Sequence, residues 1–373
     1  MLEKPGETFD YDGQKLKYPD IKLVYWAGGN PFHHHQDLNR LVKAWQHPNT
    51  IIVNEIWWNA QARHADIIFP ANTALERNDL MLNPRDPTIV ANKKSIDSFA
   101  NSKSDYEIFS GLANRLGFES TFTDNKNEME WIEFLWEESK KIAKDFKINL
   151  PDFKKFWANG FYEVPCPDKK KIMLENFRND PENFPLKTPS GKIEISSDTI
   201  ESFQLKDCLS HPSWFEPYEW LGKINKYTLH LISNQPTHRL HGQLDNASDS
   251  RKSKIKDREP VLINSLDANK RSIKDDDIVM LYNDRGKVLA GAILSEDVMP
   301  GVVVLSTGAW FDPNYNLNTE VHGNPNVLTN DVGTSSLGQG PTSHTTLIEI
   351  KKASKEEIAD VMIFNSLSFK ENT

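Results

Sequence analysis

The sequence holds two cysteines, Cys166 and Cys208, far apart in the chain. Thiols so placed cannot ligate an iron–sulfur cluster or build a zinc ribbon, which need larger ligand sets at short spacing. One disulfide is arithmetically possible. Two unlinked buried thiols are the expectation, and cysteine usage leaves the compartment open. No run of about 18 apolar residues occurs, so no membrane-spanning helix is expected. The opening stretch MLEKPGETFDYDGQKLKYPD lacks the apolar core of a signal peptide. Lysine and arginine are interspersed with acids, and the formal net charge is −9. Binding to nucleic acid through counterion release needs clustered basic residues, so that class of partner is disfavoured. A G-x-G-x-x-G fingerprint, a Walker loop, a zinc-protease helix and a nucleophile–base pair are also missing. The chain therefore offers no self-sufficient catalytic constellation, and the NAD dehydrogenase class fails for want of its glycines.

What the chain does have is length and aromatic surface. Its 373 residues suffice for two or three domains with real cores. Its ten tryptophans demand large surfaces buried in a core, a pocket or an interface. After residues 1–20, which read as the remnant of a preceding domain, IKLVYWAGG predicts a buried strand running into a glycine turn. DLNRLVKAW places Leu38, Leu41, Val42 and Trp45 on one helical face. TIIVNEIWW and DIIFPAN supply two further strands. SDYEIFSGLANRLG is an amphipathic helix with Ile108, Phe109, Leu112 and Leu116 inward, a capping box from Ser104 and Glu107, and a stop at Gly117. This alternation predicts a Rossmann-like parallel α/β segment over 21–126.

Residues 127–222 predict a connecting layer. It opens on the long helix EMEWIEFLWEESKKIAKDF and continues irregularly, with TPSGKIEI as a turn and short strand. From 223 to 353 the runs TLHLIS, PVLIN, DIVMLYN, GKVLAGAIL, GVVVLS and TTLIEI predict a six-stranded compact β-barrel. Residues 354–373 read as a polar tail or one short helix.

Ligands on open parallel sheets sit beyond the carboxyl ends of the strands. Gly28, Gly29, Asn30 and His34 follow the first strand, while Asn54 and Glu55 close the second. A glycine pair after a strand is equally compatible with a plain tight turn. His33, His34 and His35 are adjacent, so their side chains diverge; contacts to phosphate or packing beside a cofactor suit them better than a shared metal. Arg77 lies at the strand-end rim, where a pyrophosphate partner competes with an ordinary surface salt bridge. Asp105 opens a helix, where the dipole favours a carboxylate with or without a ligand. In the barrel, Ser233–Asn246 and His322–Pro341 are long loops rich in neutral donors, suited to a polar anionic ligand.

The segments WAGGNPFHHHQDLNRL, RHADIIFPANTALERND, TPSGKIEI, SNQPTHRLHGQLD and HGNPNVLTNDVGTSSLGQGPT resemble, in that order, those of the dimethyl sulfoxide reductase family. The likeness is to the dimethyl sulfoxide, trimethylamine N-oxide and biotin sulfoxide reductases, and it runs from about Tyr18 to Lys351. The resemblance implies a double-psi barrel and a molybdenum ion held by two molybdopterin guanine dinucleotides. It also implies oxygen-atom removal from a small N-oxide or S-oxide, and an electron donor protein of cytochrome c type. By motif it assigns cofactor contacts to Gly29, Asn30, His34, Asn54, Arg77 and Asp105. In the barrel it assigns Ser233, Arg239, His241, Gln243, Asn324 and Gln339. Gly242 departs from the serine often seen between His241 and Gln243. The family's metal ligand, a serine in the oxide reductases, lies in an N-terminal half that this chain does not match, so no catalytic or metal-ligating residue is assigned here. A periplasmic site is expected for the small oxides and a cytoplasmic one for biotin sulfoxide. The competing reading is a truncated, non-catalytic module that binds the cofactor.

Overall fold

The computed structural model describes residues 1–166, 172–223 and 226–365. The chain forms two compact units. One comprises Met1–Ile52, Trp57–Asp66 and Ile195–Thr373; the other comprises Val53–Ile56 and Ile67–Glu194.

Strands β1 (Thr8–Tyr11) and β2 (Gln14–Lys17) make an antiparallel hairpin that sequence reasoning did not anticipate. Strands β3 (Leu23–Ala27), β4 (Thr50–Glu55) and β5 (Ile67–Pro70) then form the expected parallel sheet, in the order β3-β4-β5. β3 was expected to be buried, yet Leu23 is 53% exposed and no residue of the strand is buried. Its edge position is the reason, since only one flank is paired. Between β3 and β4, Asp37 caps the helix Leu38–Ala44 by accepting from the Arg40 N–H, and Leu38 and Trp45 are buried as the periodicity required.

The second unit adds an antiparallel sheet not foreseen from the sequence. β6 (Asp79–Asn83) and β7 (Asp86–Asn92) form a hairpin, and β8 (Phe161–Glu163) pairs with β7. Helix Asp105–Arg115 carries the predicted reciprocal capping box of Ser104 and Glu107. It buries Ile108 and Ala113, whereas Leu116, expected inward, is 70% exposed because it is already the C-cap. Helix Glu128–Asp145 buries Ile132 and Trp136 against Phe153 and Phe156. The Trp136 ring stacks on Phe156 at 3.7 Å, and its indole N–H donates to the Pro151 carbonyl, so its polar atom is not stranded. The turn at Thr188–Gly191 is present, but the short strand predicted after it is not. That stretch pairs with no other strand, and Ile193 and Ile195 stay exposed. Cys166 is likewise exposed, against the expectation of two buried thiols, and both cysteines are free.

The six barrel strands lie where expected: β9 (Leu229–Ile232), β10 (Pro260–Ile263), β11 (Ile278–Tyr282), β12 (Lys287–Leu294), β13 (Val302–Leu305) and, after the short strands β14 (Pro313–Asn314) and β15 (Thr319–Glu320), β16 (Thr346–Lys352). The order β10-β13-β9-β16-β11-β12 closes on itself through the β10–β12 pairing. Two pairings, β10–β12 and β9–β13, are parallel and the others in the ring antiparallel. Closure leaves no edge in the ring. Alternation along β10 and β13 buries Val261, Ile263, Val303 and Leu305 in its core. After β16 comes a single 3-10 turn, Lys355–Glu357. The chain then runs on to Phe364 with Ile363 buried, so the expected polar tail is in part a packed strap.

Candidate cofactor-binding site

In the first unit the site begins at the end of β3. Gly28 and Gly29 adopt left-handed backbone, with φ of +80° and +72°, which a side chain would strain. A Cβ on Gly28 would meet nothing within 4 Å, so this turn leaves open backbone. Asn30 caps the short helix Pro31–His34 by accepting from the Phe32 N–H at 3.0 Å.

The three histidines take separate roles. His33 is buried and stacks on Trp310 at 5.9 Å, and burial pushes its pKa down to about 4. His34 is exposed; partial burial, then His35 and His241, hold its pKa below the ordinary value. Neutral imidazoles at this face offer hydrogen bonds rather than charge. Among the described residues, no group of three or more His, Cys, Asp or Glu is placed to hold a metal ion.

Barrel loops hold this turn in place. Asn324 Nδ2 donates to the Phe32 carbonyl at 3.0 Å and to the Ala309 carbonyl at 2.9 Å. Asn326 Nδ2 donates to the His33 carbonyl at 3.2 Å, and the Asp37 N–H donates to the Thr329 carbonyl at 3.1 Å. Asn324 is wholly buried, so its amide is spent inside the protein. Gly29, Asn30, His34, His241 and Asn324 are thus gathered around one turn.

The loop after β9 is exposed at Gln235, His238, His241 and Gln243, with Ser233 half-buried at the strand end. Gln235 bonds both the His241 ring, Nε2 to Nδ1 at 3.0 Å, and its backbone N–H. Arg239 turns inward instead. Its guanidinium pairs with Asp245 at 3.3 Å and Glu259 at 3.1 Å, and Lys254 pairs with the same two carboxylates at 2.9 Å. These four side chains are at most 3% exposed. Burial alone would raise the Asp245 carboxyl, but His322, Lys254 and Arg239 beside it hold it well below the usual range. Burial and the neighbouring Lys254 push His322 down to about 3. Removing one member of such a cluster strands a buried charge, at a cost of about 3–5 kcal/mol.

Sequence reasoning missed Asp245, Lys254, Glu259 and His322. Only the folded barrel brings these scattered residues together. Gln339 lies apart from the turn, donating to the Asp10 carbonyl at 2.6 Å.

In the second unit Asn54, buried at the end of β4, donates to Asp105 Oδ1 at 2.8 Å. Asp105 is exposed on the first turn of its helix. Arg77 is half-buried and forms an ion pair with Asp79.

The donor set suits a polar anionic ligand. Open glycine backbone, imidazoles and carboxamides line these loops, and no carboxylate occurs between Ser233 and Gln243. The phosphates of a molybdopterin dinucleotide fit that chemistry.

Residues 3–115 match the molybdopterin oxidoreductase family and residues 229–347 the molydopterin dinucleotide binding domain. The chain is 46% identical over 353 residues to a biotin sulfoxide reductase of Cereibacter sphaeroides, covering 94% of this chain and 47% of the relative. It is 45% identical over 362 residues to a trimethylamine-N-oxide reductase of Haemophilus influenzae, with 94% and 44% covered. It is 42% identical over 359 residues to a dimethyl sulfoxide/trimethylamine N-oxide reductase of Rhodobacter capsulatus, with 94% and 44% covered. The chain therefore spans less than half the length of these relatives, and it aligns to their C-terminal part. Acetylene hydratase from Pelobacter acetylenicus shares the fold, with a TM-score of 0.68 at 16% identity over 90% of this chain and 45% of that one. No helix among the described residues is long and apolar enough to cross a membrane. With both domain matches and this set of relatives, the chain belongs to the dimethyl sulfoxide reductase family of molybdopterin oxidoreductases.

Proposed function

We propose that this chain is the cofactor-holding C-terminal portion of an oxotransferase that reduces a small N-oxide or S-oxide. Trimethylamine N-oxide, dimethyl sulfoxide and biotin sulfoxide are the candidate substrates. The observation that carries the reading is identity above 40%, over 94% of the chain, to reductases named for those substrates. The cofactor is molybdenum bis(molybdopterin guanine dinucleotide), which supplies oxygen-atom transfer when bound, while the protein binds and orients it. Gly29, Asn30, His34, Ser233, His241 and Gln243 face the ligand from the first unit. Arg239 and Asn324 hold the backbone that carries them, and Gln339 fixes the last long loop. Within the second unit taken by itself, Asn54, Arg77 and Asp105 are the cofactor contacts, with Asp105 reading guanine. Electrons come from a cytochrome c type donor in the periplasm, as part of anaerobic respiration.

A second reading is a cofactor-binding module without turnover, which the match of residues 229–347 to a dinucleotide binding domain supports by itself. One experiment separates the two. The chain is expressed in a host that makes the cofactor, alone and then joined to the N-terminal part of a relative. Molybdenum, released guanine nucleotide and viologen-linked oxide reduction are measured. The proposal expects no turnover from the chain alone and restored turnover from the joined protein. A joined protein that loads molybdenum and guanine nucleotide yet reduces none of the three oxides leaves the module reading standing.

A further inference from the structure

Strands β9 and β13 run parallel and side by side, so the chain leaves both at the same end of the barrel. After β13 it continues as residues 306–310, STGAW, a stretch that none of the sequence motifs singled out. This stretch is tied to the loop at 233–243 and to the turn at 28–35, all within the first unit. The Thr307 N–H donates to the Asn234 carbonyl at 2.9 Å, and the Thr307 carbonyl accepts from Arg239 at 3.2 Å. Gly308 lies so close to the loop that a Cβ on it would sit 2.1 Å from the His241 carbonyl oxygen. The carbonyls of Ala309 and Phe32 share one donor, Asn324 Nδ2, at 2.9 and 3.0 Å. Trp310 reaches both sides at once. Its indole N–H donates to the Gly242 carbonyl at 2.7 Å, and its ring stacks on His33 at 5.9 Å. The backbone that carries the ring is clamped too. Its N–H donates to the buried Asp245 carboxylate at 3.0 Å, and its carbonyl accepts from His322 Nδ1 at 2.7 Å.

We propose that Trp310 is a positioning residue that sets the spacing between the turn at 28–35 and the loop at 233–243, so that both meet the cofactor as one preformed grip. The inference rests on the functional reading above. His33 adjoins His34, and Gly242 adjoins His241 and Gln243, which face the ligand in that reading. A shift of the indole therefore moves contact residues on both loops together. A filler of the core would need only the apolar ring, whereas Trp310 is fixed by three hydrogen bonds as well. A ligand held by many separate hydrogen bonds gains from donors already in place, because each donor left free to move adds an ordering cost on binding. The indole N–H is the feature that no other aromatic side chain would supply here.

The test uses Trp310→Phe, which keeps a ring for His33 and removes the donor to Gly242. Val303→Ala, at a fully buried position inside β13, is the control for lost stability alone. Amide hydrogen exchange on the 373-residue chain reads the two loops without any ligand. Trp310→Phe should speed exchange at least tenfold at both His35 and Gln243, whose N–H groups donate to the Pro31 and Leu240 carbonyls. Exchange in β11 and β12 should stay unchanged. The second measurement uses the chain joined to the N-terminal part of a relative. Guanine nucleotide retained after dialysis should fall at least fivefold with Trp310→Phe and stay level with Val303→Ala. Faster exchange at one loop only, or at neither, overturns the proposal. So does full retention by Trp310→Phe in a protein whose parent is loaded, or an equal loss with Val303→Ala. A joined parent that holds no guanine nucleotide, while Trp310→Phe loosens both loops, defeats the cofactor reading and leaves the spacing role of Trp310 standing.

Discussion

Gly242 stands where the family often carries serine, and its surroundings make a side chain there costly. A Cβ at this position would lie 2.3 Å from His33 Nδ1, 2.7 Å from Cγ and 2.9 Å from Cε1. The backbone of Gly242 is not in the left-handed region, so the penalty is steric rather than conformational. The His33 ring cannot easily retreat. It stacks on Trp310, its Nε2 lies 3.4 Å from the Asn30 amide, and the Trp310 indole N–H donates to the Gly242 carbonyl at 2.7 Å. The indole behind the ring is thus tethered to the same residue that would push on it. Overpacking of this kind costs about 1–3 kcal/mol, and losing the indole bond adds about 1 kcal/mol. Gly242→Ala should therefore lower the urea midpoint of the barrel unit's transition by an amount in that range, with an unchanged slope. In a His33→Ala background the same substitution should cost less than about 0.5 kcal/mol, because the obstacle is gone. An equal cost in both backgrounds, or no cost in either, would refute the steric account.

Three other outcomes are expected. Asp105→Asn in the chain joined to the N-terminal part of a relative should cut bound guanine nucleotide by at least tenfold, about 1.5–3 kcal/mol for a charged hydrogen bond, with the capping box intact; normal loading would leave Asp105 as a helix-terminal charge. His33, neutral in the fold with its pKa pushed down to about 4 from 6.5, contributes stability above pH 6.5 that is lost as pH falls toward 4. The slope is up to about 1.4 kcal/mol per pH unit; His33→Gln should flatten the stability profile in that window, and an unchanged profile would contradict the burial argument. Phe364 lies 4.8 Å from His322, 5.8 Å from Trp310 and 5.1 Å from the Arg251 guanidinium. Phe364→Ala should cost about 1–3 kcal/mol and increase amide exchange at Met362 and Ile363, whose N–H groups donate to Asp312; unaltered exchange there would mean the strap does not depend on its aromatic anchor.

Local periodicity and caps were enough to read the parallel strands, the capping box of Ser104 and Glu107, the long tryptophan-bearing helix and all six barrel strands. Each is encoded by residues a few positions apart, and sequence alone resolves that range. The recurring motifs further identified the family and the candidate cofactor contacts. Several features lay beyond that reach. The exposure of β3 and the absence of a strand after Gly191 depend on which flanks find partners, a matter of pairing rather than composition. The antiparallel sheet of β6, β7 and β8 joins strands about seventy residues apart. Above all, tertiary structure decided that Arg239 and Asn324 turn inward. Arg239 meets Asp245, Glu259 and the carbonyl of Thr307, and Asn324 meets the carbonyls of Phe32 and Ala309. A polar side chain satisfies its hydrogen bonds with whatever the fold brings within about 3 Å, and closure of the barrel, not the adjoining sequence, sets what lies at that distance.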